Sequence, residues 1–339
     1  MRRLLILAEG HSADPHHGKT ARGVLRYGQD PVAAILDSER AGAREGDVPV
    51  VATVAEGVER GATVAMVGIA PTGGRLSAAW RQIVVDCIAA GLHVEAGMHD
   101  FLADDDAFAG LAREHGVELR DLRRPPRDLT VTTGANLEHG ADVVLTVGSD
   151  CAIGKMTVCL ELDREARRRG HRSVFVPTGQ TGIAIAGWGI AVDAVVADFV
   201  AGAAERLVVE GAARGDLLWV EGQGSLIHPQ YSGVTLGLFH GSAPHRLILC
   251  HKAGDAHLEG LPRFPIPPLT ELIDLHERAA LVARPARVVA IALNTMRLDE
   301  TAARRAIAAA EDETGLPADD PVRFGASRLV DVVMTHRAD

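Results

Sequence analysis

The feature that most constrains this chain is a repeated alternation. Short aliphatic runs, each closed by Gly, Ser, Thr or a polar residue, alternate with Ala-rich amphipathic stretches along almost the whole sequence. LLILAEG, VAAILDS, VPVVAT, TVAMVGIA and GLHVEAG read as buried strands of the first half. ADVVLTVG, RSVFVPTG, DLLWVEGQG, RLILCH and RVVAIALN repeat the rhythm in the second. Between GIA and GLH, Trp80, Ile83, Val84 and Cys87 recur at helical spacing over Leu76–Ala90. Strand–helix alternation with continuous rather than alternating apolar strands predicts α/β architecture, in which helices cover a parallel sheet. DLRRPPRDLT, residues 121–130, interrupts both patterns with paired prolines and charges. It divides the chain into expected domains at 1–127 and 128–339.

Charge narrows the partners. Thirty-five basic against 45 acidic residues give a net charge of −10. Such a chain has no long-range field to gather polyanions, which argues against nucleic acid and anionic membrane. Its apolar runs are strand-sized, well short of the ~20 residues of a membrane span. Met1-Arg2-Arg3 leads into LLILAEG, which reaches Glu9 before a secretory core forms. Four scattered cysteines without a CxxC suit reduced thiols, so the expected setting is the cytoplasm and the expected partner a small molecule. Enzymes of this class often assemble, so a homo-oligomer is expected.

The strongest chemical signal is ADVVLTVG-SDCAIGKMT-VCLELDREARRRG. A strand ends at Gly148. The loop Ser149, Asp150, Cys151, Ala152, Ile153 runs to Gly154-Lys155, and an amphipathic helix follows through Met156 and Thr157. That is the setting of a phosphate-binding loop: successive N–H groups form an anion nest, the helix N-terminus adds its dipole, and lysine reaches phosphate oxygens. Five residues rather than four separate the glycines, and Met156 stands where a magnesium-binding hydroxyl usually follows the lysine. Thr157 comes one residue late, about 100° further round the helix. Magnesium–triphosphate chemistry therefore loses a ligand, whereas diphosphate binding by amides and Lys155 does not.

Other residues gather around such a loop. DLLWVEGQGSLIHP carries a strand into Glu221, which is placed to hold a metal or take a proton from an amine, with Gln223 and His228 following as substrate contacts. Gln180, Thr181 and Gly182 open a glycine-rich loop after another strand, where backbone approaches a ligand closely. Asn294-Thr295 ends the last long strand as a purine-edge contact. Lys19, Arg22, Arg75, Arg123 and Arg124 are cations in loops or boundary segments of the first domain, expected to close over the phosphate loop and meet the substrate. Gly18-Lys19-Thr20 looks like a second phosphate motif, but with no helix register in support it reads as a substrate or interdomain loop. His16-His17 and the later histidines lack zinc-site spacing, so no metal is expected.

Taken together, GKTARGVLRYG, MVGIAPTGGRL, GMHDFL, GSDCAIGKMT, TGQTGIAIAGWGIAVDAVVADFVAGAAE, EGQGSLIHPQYSG and ALNT resemble the D-glutamate N-acetyltransferase family, once known only as a domain of unknown function. GSDCAIGKMT with VEGQGS also resembles the dethiobiotin synthetase loop. The first resemblance implies a Rossmann-like N-terminal domain, then a P-loop NTPase-like parallel-sheet domain. It also implies acetyl transfer from acetyl-CoA to the amine of a small acidic amino acid, D-glutamate being favoured. On that reading Glu221 or His228 takes the proton, Lys155 anchors the donor's phosphates and amides near Gly182 hold the oxyanion. The second resemblance implies the alternative, an ATP- and Mg-dependent kinase or amide ligase.

Overall fold

The computed structural model describes residues 2–14, 18–69 and 76–336, and the chain divides into two compact units. The first comprises residues 1–124 with 180–194, the second 125–179 with 195–339. The break falls within the paired-proline stretch, between Arg124 and Pro125. The segment that follows Gly179 is counted with the first unit rather than with the sequence around it.

The first unit carries β1 (Leu4–Leu7), β2 (Val32–Leu36), β3 (Arg44–Glu45), β4 (Val48–Val51), β5 (Val64–Val67), β6 (His93–Ala96) and β7 (Leu119–Asp121). They lie in the order β3-β4-β2-β1-β5-β6-β7, parallel except for the β3–β4 pair. The four residues of β1 and of β5 are all buried, as expected of strands covered on both faces. Helix Ala78–Ala89 starts where the Ser77 hydroxyl accepts the Trp80 N–H, and Trp80, Val84, Cys87 and Ile88 turn inward. Asp105 caps the next helix, Asp106–His115, which stops at Gly116 in the left-handed conformation.

The second unit carries β8 (Asp142–Gly148), β9 (Ser173–Val176), β10 (Leu217–Val220), β11 (Arg246–Lys252), the hairpin β12 (His257–Leu258) and β13 (Leu261–Pro265), β14 (Arg287–Asn294) and β15 (Ala318–Asp319). Six of these form a sheet in the order β15-β14-β11-β8-β10-β9, parallel throughout. Central β8 is flanked by β10 and β11, so the loop leaving Gly148 emerges between the ends of two neighbours. Trp219 is fully buried on β10, and its indole N–H donates to Ser173 Oγ at 2.9 Å. The expected α/β alternation is therefore present in both halves, with every one of the ten predicted runs forming a strand.

Candidate functional site

The loop after β8 is built around a close approach at a glycine. A Cβ on Gly148 would lie 2.7 Å from Ile153 Cδ1 and 3.2 Å from the Cys250 carbonyl. Gly154 has φ +112° and Ala152 φ +53°, two left-handed residues of the kind from which backbone anion nests are built. Helix Lys155–Arg168 follows directly, with Gly154 at its cap position and no side-chain cap. Its first N–H groups are thus available to an anion.

Neighbouring strand ends brace this loop. Ser149 N–H donates to the Cys250 carbonyl at 3.1 Å, and its hydroxyl pairs with His251 Nδ1 at 2.9 Å. Asn294 Nδ2 donates to the Ile153 carbonyl at 3.0 Å, and Asn294 Oδ1 accepts the Met296 N–H at 3.2 Å. Thr295 gives both its N–H and its hydroxyl to Asp320, at 3.0 and 2.6 Å. Asn294 and Thr295, expected to touch a purine, thus spend these groups holding the loop and the strand end in shape.

Within the loop, Asp150 is the hub. Only 2% exposed, it accepts the Cys151 N–H at 2.6 Å and the Glu259 N–H at 2.7 Å through its carboxylate, and the Lys155 ammonium at 2.6 Å through its carbonyl. Lys155 is therefore buried and turned onto its own loop. Met156 is buried and Thr157 half-buried. The hairpin β12–β13 is tied to the loop by that Glu259 bond.

Glu221 follows β10 and is buried. Its Oε2 accepts the N–H groups of Thr178 and Gly179 at 3.0 and 3.2 Å, while its own carbonyl accepts the Thr178 hydroxyl at 2.6 Å. Gln223 Nε2 donates to that same hydroxyl at 3.1 Å. Between them Gly222 N–H donates to Thr146 Oγ1 at 3.0 Å, and a Cβ there would sit 1.8 Å from the Thr146 carbonyl oxygen. The ends of β8, β9 and β10 are stitched through one acid and one glycine.

His228 lies 3.8 Å from Asp150 Oδ1, measured at Nε2, with Tyr231 stacked on its ring at 4.7 Å. Among the described residues, Asp150, Cys151 and His228 are the group whose side chains come close enough to share a cation. Sequence spacing gave no hint of it, because His228 is distant along the chain. The ring's hydrogen bonding argues against that use: the Gln230 N–H points at Nδ1 at 3.2 Å, so the ring proton is on Nε2, the nitrogen that faces Asp150. Burial pushes the thiol of Cys250 up to about 12 and that of Cys159 well above its usual value, so neither supplies a thiolate near neutral pH.

Two family descriptions fit this chain: residues 37–125 match a DUF1611_N Rossmann-like domain, and residues 130–330 match a DUF1611_C P-loop domain. The chain belongs to the DUF1611 family. It is 37% identical over 331 residues, 97% of each chain, to a protein of Tritonibacter scottomollicae named D-glutamate N-acetyltransferase. It is 35% identical to a protein of the same name from a Pseudoalteromonas species, over 82% of this chain and 83% of that one. A crystal structure of a DUF1611 family protein from Anabaena variabilis is 42% identical, has a TM-score of 0.92, and aligns over 99% of this chain and 100% of its own.

Within the family's P-loop domain, the second unit gathers Gly148–Thr157, Glu221, Gln223, His228, Asn294 and Thr295 around the carboxyl ends of its strands. Gln180, Thr181 and Gly182 fall in the first unit instead. The glycine-rich loop expected there is a helix, Gln180–Ala186, because Ile183, Ala184 and Ile185 find a buried place. Gln180 Oε1 accepts Arg123 at 3.0 Å, and Thr181 Oγ1 pairs with Thr20 Oγ1 at 2.9 Å. Arg123 is also paired with Asp193 at 3.0 Å, and Arg124 with Asp104 at 2.8 Å. Lys19 is exposed and begins helix Lys19–Tyr27, which corrects the loop expected at Gly18-Lys19-Thr20. Arg75, His16 and His17 lie outside the described residues.

Asp37, which the sequence reading missed, closes β2 and accepts the Gly10 and Ser12 N–H groups at 3.2 and 3.1 Å, shaping the turn after β1. An acid at the end of a buried strand was the available signal. Among the described residues no helix is long and apolar enough to cross a membrane.

Proposed function

We propose that this protein is a CoA-dependent N-acetyltransferase whose acceptor is the amine of a small acidic amino acid, with D-glutamate favoured. The observation that carries the proposal is the near full-length similarity to two proteins named D-glutamate N-acetyltransferase. The loop 148–155 fits the donor's diphosphate: it offers left-handed backbone at Ala152 and Gly154, an uncapped helix start and Lys155. Met156, in place of a hydroxyl, speaks for a diphosphate held by N–H groups and a lysine rather than by a magnesium–triphosphate.

In this reading Lys155 leaves the Asp150 carbonyl for a phosphate oxygen. Glu221 accepts a proton from the acceptor's ammonium, so that the free amine attacks the thioester carbon. The carbon–sulfur bond then breaks, and the departing thiolate takes up a proton. A thiol-release assay with acetyl-CoA over D- and L-amino acids tests it. Release with D-glutamate exceeding that with L-glutamate supports the reading. Absence of release with every amino acid removes it, and magnesium-dependent ADP formation with a carboxylate substrate would put a kinase or ligase in its place.

A further inference from the structure

Loop 148–155 has an electrostatic problem. It is built to receive an anion, yet the buried carboxylate of Asp150 sits in it, and the residue after Lys155 brings no hydroxyl for a compensating magnesium. A diphosphate bound here must be met by hydrogen-bond donors beyond the backbone.

His228 supplies one. Its side chain is 5% exposed, it belongs to the same unit as the loop, and its orientation is fixed. The Gln230 N–H donates to Nδ1 at 3.2 Å, so Nδ1 is an acceptor and Nε2 is the nitrogen that carries the hydrogen. Tyr231 holds the ring plane at 4.7 Å and 35°. Nε2 is 3.8 Å from Asp150 Oδ1, beyond hydrogen-bond length. It makes no hydrogen bond to the described residues, and it is not sealed among the buried orphans. A ring nitrogen of His228, Cys151 Sγ and an Asp150 oxygen all lie within 4.8 Å of one another, so the ring lies against the Asp150-Cys151 part of the loop.

From this geometry we infer that His228 is a phosphate-binding residue, its Nε2–H donating to an oxygen of the ligand's diphosphate. The inference rests on the reading above that the loop takes a diphosphate. The same tautomer excludes the role of general base at Nε2, which already carries a hydrogen, and leaves proton transfer to Glu221.

The test uses the full chain, with CoA and inorganic pyrophosphate as probes in calorimetry. His228→Met removes the donor at similar volume and should raise the Kd for both probes about tenfold. His228→Gln returns an N–H at comparable reach and should stay within about threefold of wild type. An unchanged Kd in His228→Met, or a hundredfold fall in kcat of His228→Gln at unchanged Kd, overturns the inference. Should the Met variant not fold, nitrogen NMR of the wild type decides: an Nε2–H tautomer whose signal moves with pyrophosphate supports the assignment, and an Nδ1–H tautomer or an unmoved signal refutes it. Lys155→Ala separates the two levels: if it too leaves CoA binding unchanged, the diphosphate reading itself has failed. If it weakens binding while His228→Met does not, only the role of His228 has.

Discussion

Replacing Gly222 by alanine tests whether the strand ends are packed as tightly as the site requires. The new Cβ would fall 1.8 Å from the Thr146 carbonyl oxygen and 3.0 Å from Lys155 Cδ, whereas contacts under 3.0 Å are essentially never seen. The obstruction is backbone, so the segment must retreat by at least about 1.2 Å, the difference between those two distances. The retreat breaks the Gly222 N–H bond to Thr146 Oγ1, worth about 1 kcal/mol, and adds overpacking of about 2–3 kcal/mol. The expected loss is therefore about 3–4 kcal/mol in urea unfolding, with weakened CoA binding because Glu221 and Lys155 shift with the segment. Gly233→Ala is the control. Gly233 is exposed in helix Ser232–Ser242 with nothing within 4 Å of an added Cβ, so that change should stabilise by about 0.5–1 kcal/mol. A Gly222→Ala protein within about 1 kcal/mol of wild type would refute this reasoning.

Three further outcomes follow from individual contacts. Lys155→Ala should weaken CoA binding by about 2–3 kcal/mol, roughly 30- to 150-fold, with the circular dichroism of wild type; unchanged affinity would displace the phosphates from this loop. His276 is fully buried, gives its Nδ1–H to the Leu272 carbonyl at 2.7 Å, and is held down to about 4 chiefly by burial. The unfolded chain binds this proton below about 6.5 while the native one does not, so stability falls with acid, by about 2 kcal/mol between pH 7.5 and 5. His276→Gln should flatten the difference in urea unfolding at the two pH values by that amount, and an unaltered slope would contradict it. Glu205 accepts the Thr133 N–H and hydroxyl and the Gly134 N–H at 2.7–2.8 Å, so Glu205→Ala should cost about 2 kcal/mol of stability and leave CoA affinity unchanged; loss of affinity would show that this carboxylate serves the site.

The architecture was legible because parallel strands covered on both faces must be continuously apolar, and runs such as Leu4–Leu7 and Val143–Leu145 carry that signature unaided. The loop from Gly148 to Lys155 and the acid at the end of β10 were legible for the same reason, since each sits where a strand stops. What escaped was long-range pairing. Nothing local says that Glu259 caps Asp150, that Gln230 fixes the ring of His228, or that Asp320 consumes both donors of Thr295. The stretch from Gln180 was misjudged because its glycines suggested a loop, whereas burial of Ile183 and Ile185 rewards a helix. Lys19 was misjudged similarly: Gly18 looked like loop chemistry but opens a helix, with the Asp14 and His11 carbonyls 2.6 Å from where a Cβ would be.

Titration of the purified protein with CoA and with ATP, each with magnesium and with EDTA, puts the diphosphate cradle to the most direct trial. Saturable CoA binding of equal affinity in both buffers, with ATP far weaker in both, is the expected result. ATP binding that requires magnesium, with CoA inert, would contradict it.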